Sequence, residues 1–122
     1  MPVRSLNSAV ITWPDREAVC EAAKRWASAV GRSNPGVQRV YVYGSIVSGK
    51  WGVGSDLDIV IEVQRADAPF NERCVLFPPP DVPVPYDVSV YSTRELEDMR
   101  SERRRFVREL DRQSVVLYDR GS

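Results

Sequence analysis

Histidine is missing altogether from the 122 residues. Its absence excludes Ser–His and Cys–His catalysis and any histidine-ligated zinc site. Cysteine is nearly missing too. Cys20 and Cys74 stand far apart and form no Cys-x-x-Cys, so they read as reduced thiols rather than a redox or metal pair. Neither sign of charge is in excess, with 17 basic against 17 acidic residues. No extensive nucleic-acid binding is therefore expected, because such binding draws on the release of many phosphate counterions. No apolar run approaches the ~20 residues that cross a bilayer. The opening stretch MPVRSLNSAVITWP has one arginine and no apolar core followed by a cleavage site. Neither membrane insertion nor secretion is indicated, and the cytoplasm is the expected compartment.

What remains is an ordinary apolar content of 43%, at a length that suits one domain spanning residues 1–122. Val19, Ala22, Ala23, Trp26 and Val30 recur at helical spacing and predict a helix from about Trp13 to Val30. Thr12 and Asp15 are spaced as a capping box, Pro14 fits a first turn, and Gly31 supplies a stop. The β-branched and aromatic run Val37 to Tyr43 predicts a strand ending at Gly44, and Leu57 to Val63 a second. Between Gln64 and Pro83 lies a long, proline-rich connection of the kind that is usually functional or mobile. Val84 to Tyr91 predicts a third strand and Val115 to Tyr118 a short fourth. Ser92 or Thr93 can cap one long helix from Arg94 to Arg112, with Leu96, Met99, Phe106, Val107 and Leu110 as its apolar stripe. The expected class is α+β, a small mixed sheet with helices packed on one face.

Chemistry concentrates between Gly44 and Val60, GSIVSGKWGVGSDLDIV. Gly44 and Ser45 sit where a strand stops and a helical turn can begin. Free backbone N–H groups there, with a serine hydroxyl added, suit a phosphate. Asp56 and Asp58 lie two apart at a strand entrance, so both carboxylates point to one face. Two such charges are costly together unless a cation joins them, and hard oxygen ligands favour Mg²⁺, with Mn²⁺ the alternative. Asp87 interrupts an otherwise apolar strand. If that strand pairs with Leu57–Val63, three carboxylates meet in a set able to hold two metals ~3.5–4 Å apart.

This stretch resembles the minimal members of the nucleotidyltransferase superfamily related to DNA polymerase β. There a Gly-Ser pair is followed by ten residues and then Asp-x-Asp. Here Gly44-Ser45 precedes Ile46 through Ser55 and then Asp56-Leu57-Asp58, with Asp87 in place of the family's third acid. The resemblance implies the polymerase β-like fold and a metal-dependent transfer of a nucleoside monophosphate, AMP from ATP foremost, to an acceptor hydroxyl with release of pyrophosphate. It implies Asp56, Asp58 and Asp87 as catalytic and metal-binding residues, and Gly44 and Ser45 as phosphate-binding residues. It further implies the MNT antitoxin type, which works with a small helical HEPN-type partner that it modifies. Self-association is left open.

Two features depart from the common pattern. Ile46 stands where many members carry arginine, leaving Lys50 to supply that charge, and Gly52 and Gly54 enlarge the loop around Trp51. Ser55 reads equally as a turn residue and as support for Asp56 at the nucleotide site, and Trp51 equally as a base-stacking group and as packing on its own domain. The run Arg103-Arg104-Arg105, with Arg100, Arg108 and Arg112, reads first as a solvated face paired to Glu102, Glu109 and Asp111. A rival from another class is a catalytically weak antitoxin or regulatory module that binds a partner through the prolines of Phe77 to Pro85 and the arginine face. An aminoglycoside-modifying enzyme is a third reading, which the neutral charge does not favour.

Overall fold

The computed structural model describes residues 13–121. Helix α1, Arg16–Ser33, leads into strand β1, Val37–Tyr43, and the short turn helix α2, Ser45–Ser48. Strand β2, Leu57–Val63, follows, then a 3₁₀ segment, Phe70–Leu76, and strand β3, Tyr86–Ser92. Helices α3, Thr93–Ser101, and α4, Arg105–Arg112, precede the last strand, β4, Ser114–Asp119. The sheet order is β3-β2-β1-β4. β1 runs antiparallel to both β2 and β4, and β2 runs parallel to β3, giving the mixed sheet expected.

The helices divide between the two faces of this sheet, where one face was expected. Val19, Ala23, Trp26 and Val30 of α1 join Val40, Val42, Ile59 and Ile61 in one apolar cluster. Tyr41 and Val60, which alternate with those strand residues, join Leu96 of α3 and Val107 and Leu110 of α4 in another. β2 is consequently buried on both sides, Leu57 and Ile59 to Val63 all lying inside. Leu96 and Leu110 are 0% and 1% exposed, and burial of such a side chain stabilises by roughly 1.5–3 kcal/mol.

The first helix differs from the sequence expectation at both ends, each for a local reason. The first helix starts at Arg16, with Asp15 at the cap position but no side-chain cap bond; Thr12, the other half of the expected box, lies outside the described residues. Gly31 does not stop the helix. It is buried inside it, and a Cβ built there would lie 2.3 Å from Tyr118 Cζ, so the glycine makes room for the ring of β4. The chain leaves the helix at Asn34, which precedes Pro35 and is thereby steered into extended backbone. Gly31→Ala is expected to destabilise the fold by about 1–3 kcal/mol through this overpacking, read as a lower urea midpoint with an unchanged m-value.

The expected single helix over 94–112 is two helices. Ser92 and Glu95 form a complete capping box at the start of α3. At its end Arg103 N–H donates to Arg100 O and Arg104 N–H to Met99 O, both at 3.0 Å, with Arg103 at φ 56. This is a Schellman closure with arginine where glycine is preferred. Arg103→Gly should relieve the left-handed strain and raise stability by about 1 kcal/mol in thermal unfolding.

The long connection is built rather than slack. Arg73 is 7% exposed; its guanidinium donates to both carboxylate oxygens of Glu95 at 2.7 and 3.0 Å, to Val90 O and to Ala68 O. Trp26 Nε1 donates to Pro78 O at 2.9 Å, fastening the proline run to α1.

Candidate active site

All four strands bring a terminus to the same end of the sheet. β1 arrives there at Tyr43, opposite Asp58 of β2 and Ser114 of β4. Asp58 in turn is the register partner of Asp87 on the parallel strand β3. Leu57 N–H donates to Pro85 O at 2.9 Å, which locks the two strand entrances together. Register partners project to one face, so Asp87, Asp58 and Tyr43 form a row across the sheet, with strands ~4.8 Å apart. Asp56 enters from the loop just before β2. Asp58 is half-buried, whereas Asp56 and Asp87 are exposed. Exposure of Asp87 departs from the buried strand expected: β3 is an edge strand, and its burial begins only at Val88.

Burial first, then the neighbouring Asp87 and Asp56 carboxylates, hold the Asp58 carboxyl above its ordinary 3.8. Burial, followed by Asp58 and Asp87, pushes the Tyr43 hydroxyl up to about 12. Tyr43 therefore keeps its proton at neutral pH beside the carboxylates. Among the described residues no three acidic or cysteine side chains are closed into a ready metal-binding group. The donor chemistry nevertheless suits a hard divalent cation: the side chains are oxygen-only, drawn from a loop and two strands, and a cation would offset their mutual repulsion.

Beside the carboxylates, Gly44 turns the chain with φ 87 and ψ −148, a conformation essentially confined to glycine. A Cβ there would lie 2.5 Å from Asp58 Oδ2. The backbone thus passes so close to the acid that a side chain here would displace the Asp58 carboxylate. Gly44 O accepts from the N–H groups of Val47 and Ser48 at 3.0 Å each, closing α2. Arg16 Nε donates to Ile46 O and ties this turn to α1. A cavity of about 310 Å³ opens over the turn, lined by Tyr43, Gly44, Ser45 and Lys50 on one side and by Glu109 and Gln113 on the other. Lys50 is exposed and forms no ion pair among the described residues.

Ser55 belongs to the turn: Gly52 N–H donates to its Oγ, and Ser55 N–H to Gly52 O, both at 3.0 Å. The turn delivers Asp56 to the strand entrance. Trp51 packs on its own domain, its Nε1 donating to Pro14 O at 3.0 Å. The arginine face is paired much as its spacing suggests, with Arg100 on Asp111, Arg104 on Glu102 and Arg105 on Glu109. Tyr43, Glu109 and Gln113 were not singled out from sequence as parts of the site. Tyr43 is legible only once β1 is known to pair with β2, and Glu109 only once the helix breaks at Arg103.

Comparison with known proteins bears on the family and the fold. The sequence profile described as nucleotidyltransferase domain matches residues 20–111. A crystal structure of a candidate nucleotidyltransferase from Sulfolobus solfataricus superposes with a TM-score of 0.62 at 17% identity, covering 100% of this chain and 93% of that one. No curated protein sequence matches.

Proposed function

Because the chain belongs to the nucleotidyltransferase domain family, we propose that it transfers AMP from ATP to a hydroxyl on a partner protein, with Asp56, Asp58 and Asp87 as its catalytic acids. The observation that carries this reading is the row of Asp87 and Asp58 standing directly beside a glycine turn, where a side chain would push the Asp58 carboxylate aside. In the family such acids serve a divalent metal, and here Asp56, Asp58 and Asp87 would hold Mg²⁺ or Mn²⁺, which when bound offsets the charge of the phosphates.

The remaining work falls to the chain itself. The amides of Ser45 and Ile46 precede the first helical bonds, which run from Val47 and Ser48 to Gly44 O, and with the Ser45 hydroxyl and the Lys50 ammonium they bind the β- and γ-phosphates. Asp87, exposed at the sheet edge, takes the proton of the acceptor hydroxyl. The acceptor oxygen bonds to the α-phosphorus, the bond from that phosphorus to the bridging oxygen breaks, and pyrophosphate leaves. Tyr43 stays protonated and offers an O–H donor at the same face. Positioning and charge compensation supply the rate. A small helical partner of HEPN type, and with it an antitoxin role in the cytoplasm, is supported by the likeness of Gly44 to Asp58 to the minimal members.

ATP labelled at the α-phosphate tests the reaction. Label should pass to an acceptor from the α-position and not from the γ-position. Label passing from the γ-position alone would mean phosphoryl transfer and end this reading.

A further inference from the structure

Helix α4 turns Phe106, Val107 and Leu110 to the sheet and leaves Arg105, Arg108, Glu109 and Arg112 exposed on its outer side. Glu109 is shared by two hollows. With Arg105, Arg108 and Arg112 it lines a hollow of about 330 Å³ on the outer surface. It also stands across the 310 Å³ cavity from Ser45 and Lys50, with Gln113 one turn further along the same wall. Its carboxylate pairs with Arg105 at 3.6 Å, and among the described residues no ion pair joins it to Lys50. The two charges thus face one another across the cavity without closing it. Glu109 is also felt at the row of acids: the Tyr43 hydroxyl is pushed up to about 12 by burial first, then by Asp58, Asp87 and Tyr91, and then by Glu109.

A carboxylate on the wall of a phosphate cavity opposes the binding that the opposite wall provides, and its place makes that opposition selective. We propose that Glu109 makes the site discriminate between charge states of its nucleotide, admitting the triphosphate as its divalent-cation complex and turning away the free tetra-anion. The free tetra-anion meets Glu109 in the cavity and the carboxylates of Asp56, Asp58 and Asp87 beside it, with Lys50 as the cation lining the cavity. A cation held between the nucleotide and the acids removes most of this repulsion, so Glu109 costs the metal complex little. The pair with Arg105 acts in the same direction. It occupies a guanidinium that would otherwise stand beside Arg108 and Arg112 as a competing seat for phosphate, away from the carboxylates. The inference rests on the nucleotidyl-transfer reading for the identity of the anion, and it adds the form in which that anion enters.

Binding without turnover decides it. The full chain would be titrated with α,β-methylene-ATP, whose bridge blocks transfer, once in EDTA and once in Mg²⁺. Glu109→Gln is expected to tighten metal-free binding about tenfold while shifting the affinity of the Mg²⁺ complex by about twofold or less. Gln113→Glu adds a charge to the same wall and should weaken metal-free binding by a similar factor. Glu102→Gln is the control: it removes the same charge from a side chain that pairs with Arg104 and does not line the cavity, and it should do neither. Glu109 is exposed and glutamine is nearly isosteric with it, so an unchanged Tm verifies the fold. Equal shifts with and without Mg²⁺, no shift at all, or the same shift in Glu102→Gln would overturn the proposal. A wild type that fails to bind the analogue even in Mg²⁺ would overturn the nucleotide reading together with it. If label transfer fails while the split between metal-free and Mg²⁺ binding is found, the transfer reading falls and the role of Glu109 stands.

Discussion

Replacement of Asp58 by asparagine is expected to abolish nucleotide transfer while making the cation-free protein harder to melt. The two effects share one cause. Asp58 lies half-buried between Asp87 and the entering Asp56, and its carboxyl is held above its ordinary 3.8 by burial and by those neighbours. A carboxyl whose folded pKa is raised contributes most to stability below its unfolded pKa, and that contribution disappears as pH rises through the folded value. At neutral pH the folded protein therefore carries the full cost of ionised Asp58, and asparagine removes it. Solvent screening at this open end of the sheet limits the gain to about 1 kcal/mol, a few degrees in Tm. The difference between the proteins should vanish near pH 3, and Mg²⁺ should raise the Tm of the wild type more than that of the variant. Transfer should fall on the order of 10³-fold or more, as when preorganised charge compensation is taken from a phosphoryl site. A variant melting lower than the wild type at neutral pH would show that Asp58 is not under electrostatic strain.

Gly44→Ala is the second large effect expected. The backbone angles at Gly44 cost a residue bearing a Cβ about 1–3 kcal/mol, and that Cβ would stand 2.5 Å from Asp58 Oδ2. The turn cannot yield freely, because Gly44 O holds two amides and Ile46 O is tied to Arg16. The carboxylate must move instead. Stability should fall by roughly 2–3 kcal/mol, and kcat should fall more than a hundredfold, since displacements of about 1 Å at a reacting centre have that consequence. Gly49→Ala is the control: Gly49 also has positive φ, at 86°, but nothing lies within 4 Å of a Cβ there. It should lose stability with kcat nearly intact. Urea titration separates the shared backbone cost from the clash that only Gly44 suffers.

Much of this was legible in the chain. VQRVYVY and LDIVIEV became β1 and β2 with the residues expected, because β-branched runs bounded by glycine or by a turn have little alternative. The near-continuous apolar character of LDIVIEV was also a sign of burial on both faces, and hence of helices on both, which the reading of a one-faced sheet passed over. The break at Arg103 left no sign. The apolar stripe from Leu96 to Leu110 runs through it in period, and arginine does not advertise a left-handed backbone. Glu62 shows why an acid in an apolar strand is an ambiguous signal. Like Asp58 it interrupts β2, yet Tyr41 Oη and Thr93 Oγ1 donate to its two oxygens at 2.8 Å each, and Arg39 lies at 3.5 Å. It is a satisfied buried group, and only three-dimensional pairing separates it from Asp58.

The parallel pairing of β2 with β3 carries a consequence for how the site comes into being. Antiparallel neighbours can zip from a tight turn, but parallel ones wait for a long crossover to close, here residues 64–85. Juxtaposing Asp58 with Asp87 is thus a non-local event, and non-local pairings form late in folding. What retains the crossover is far from the acids: the Arg73–Glu95 pair and the Trp26–Pro78 bond. In native-state hydrogen exchange the amides of β3 should report one cooperative opening whose rate rises when Arg73 is shortened, with β1 keeping its protection. Catalytic competence would then be governed by a latch that touches neither substrate.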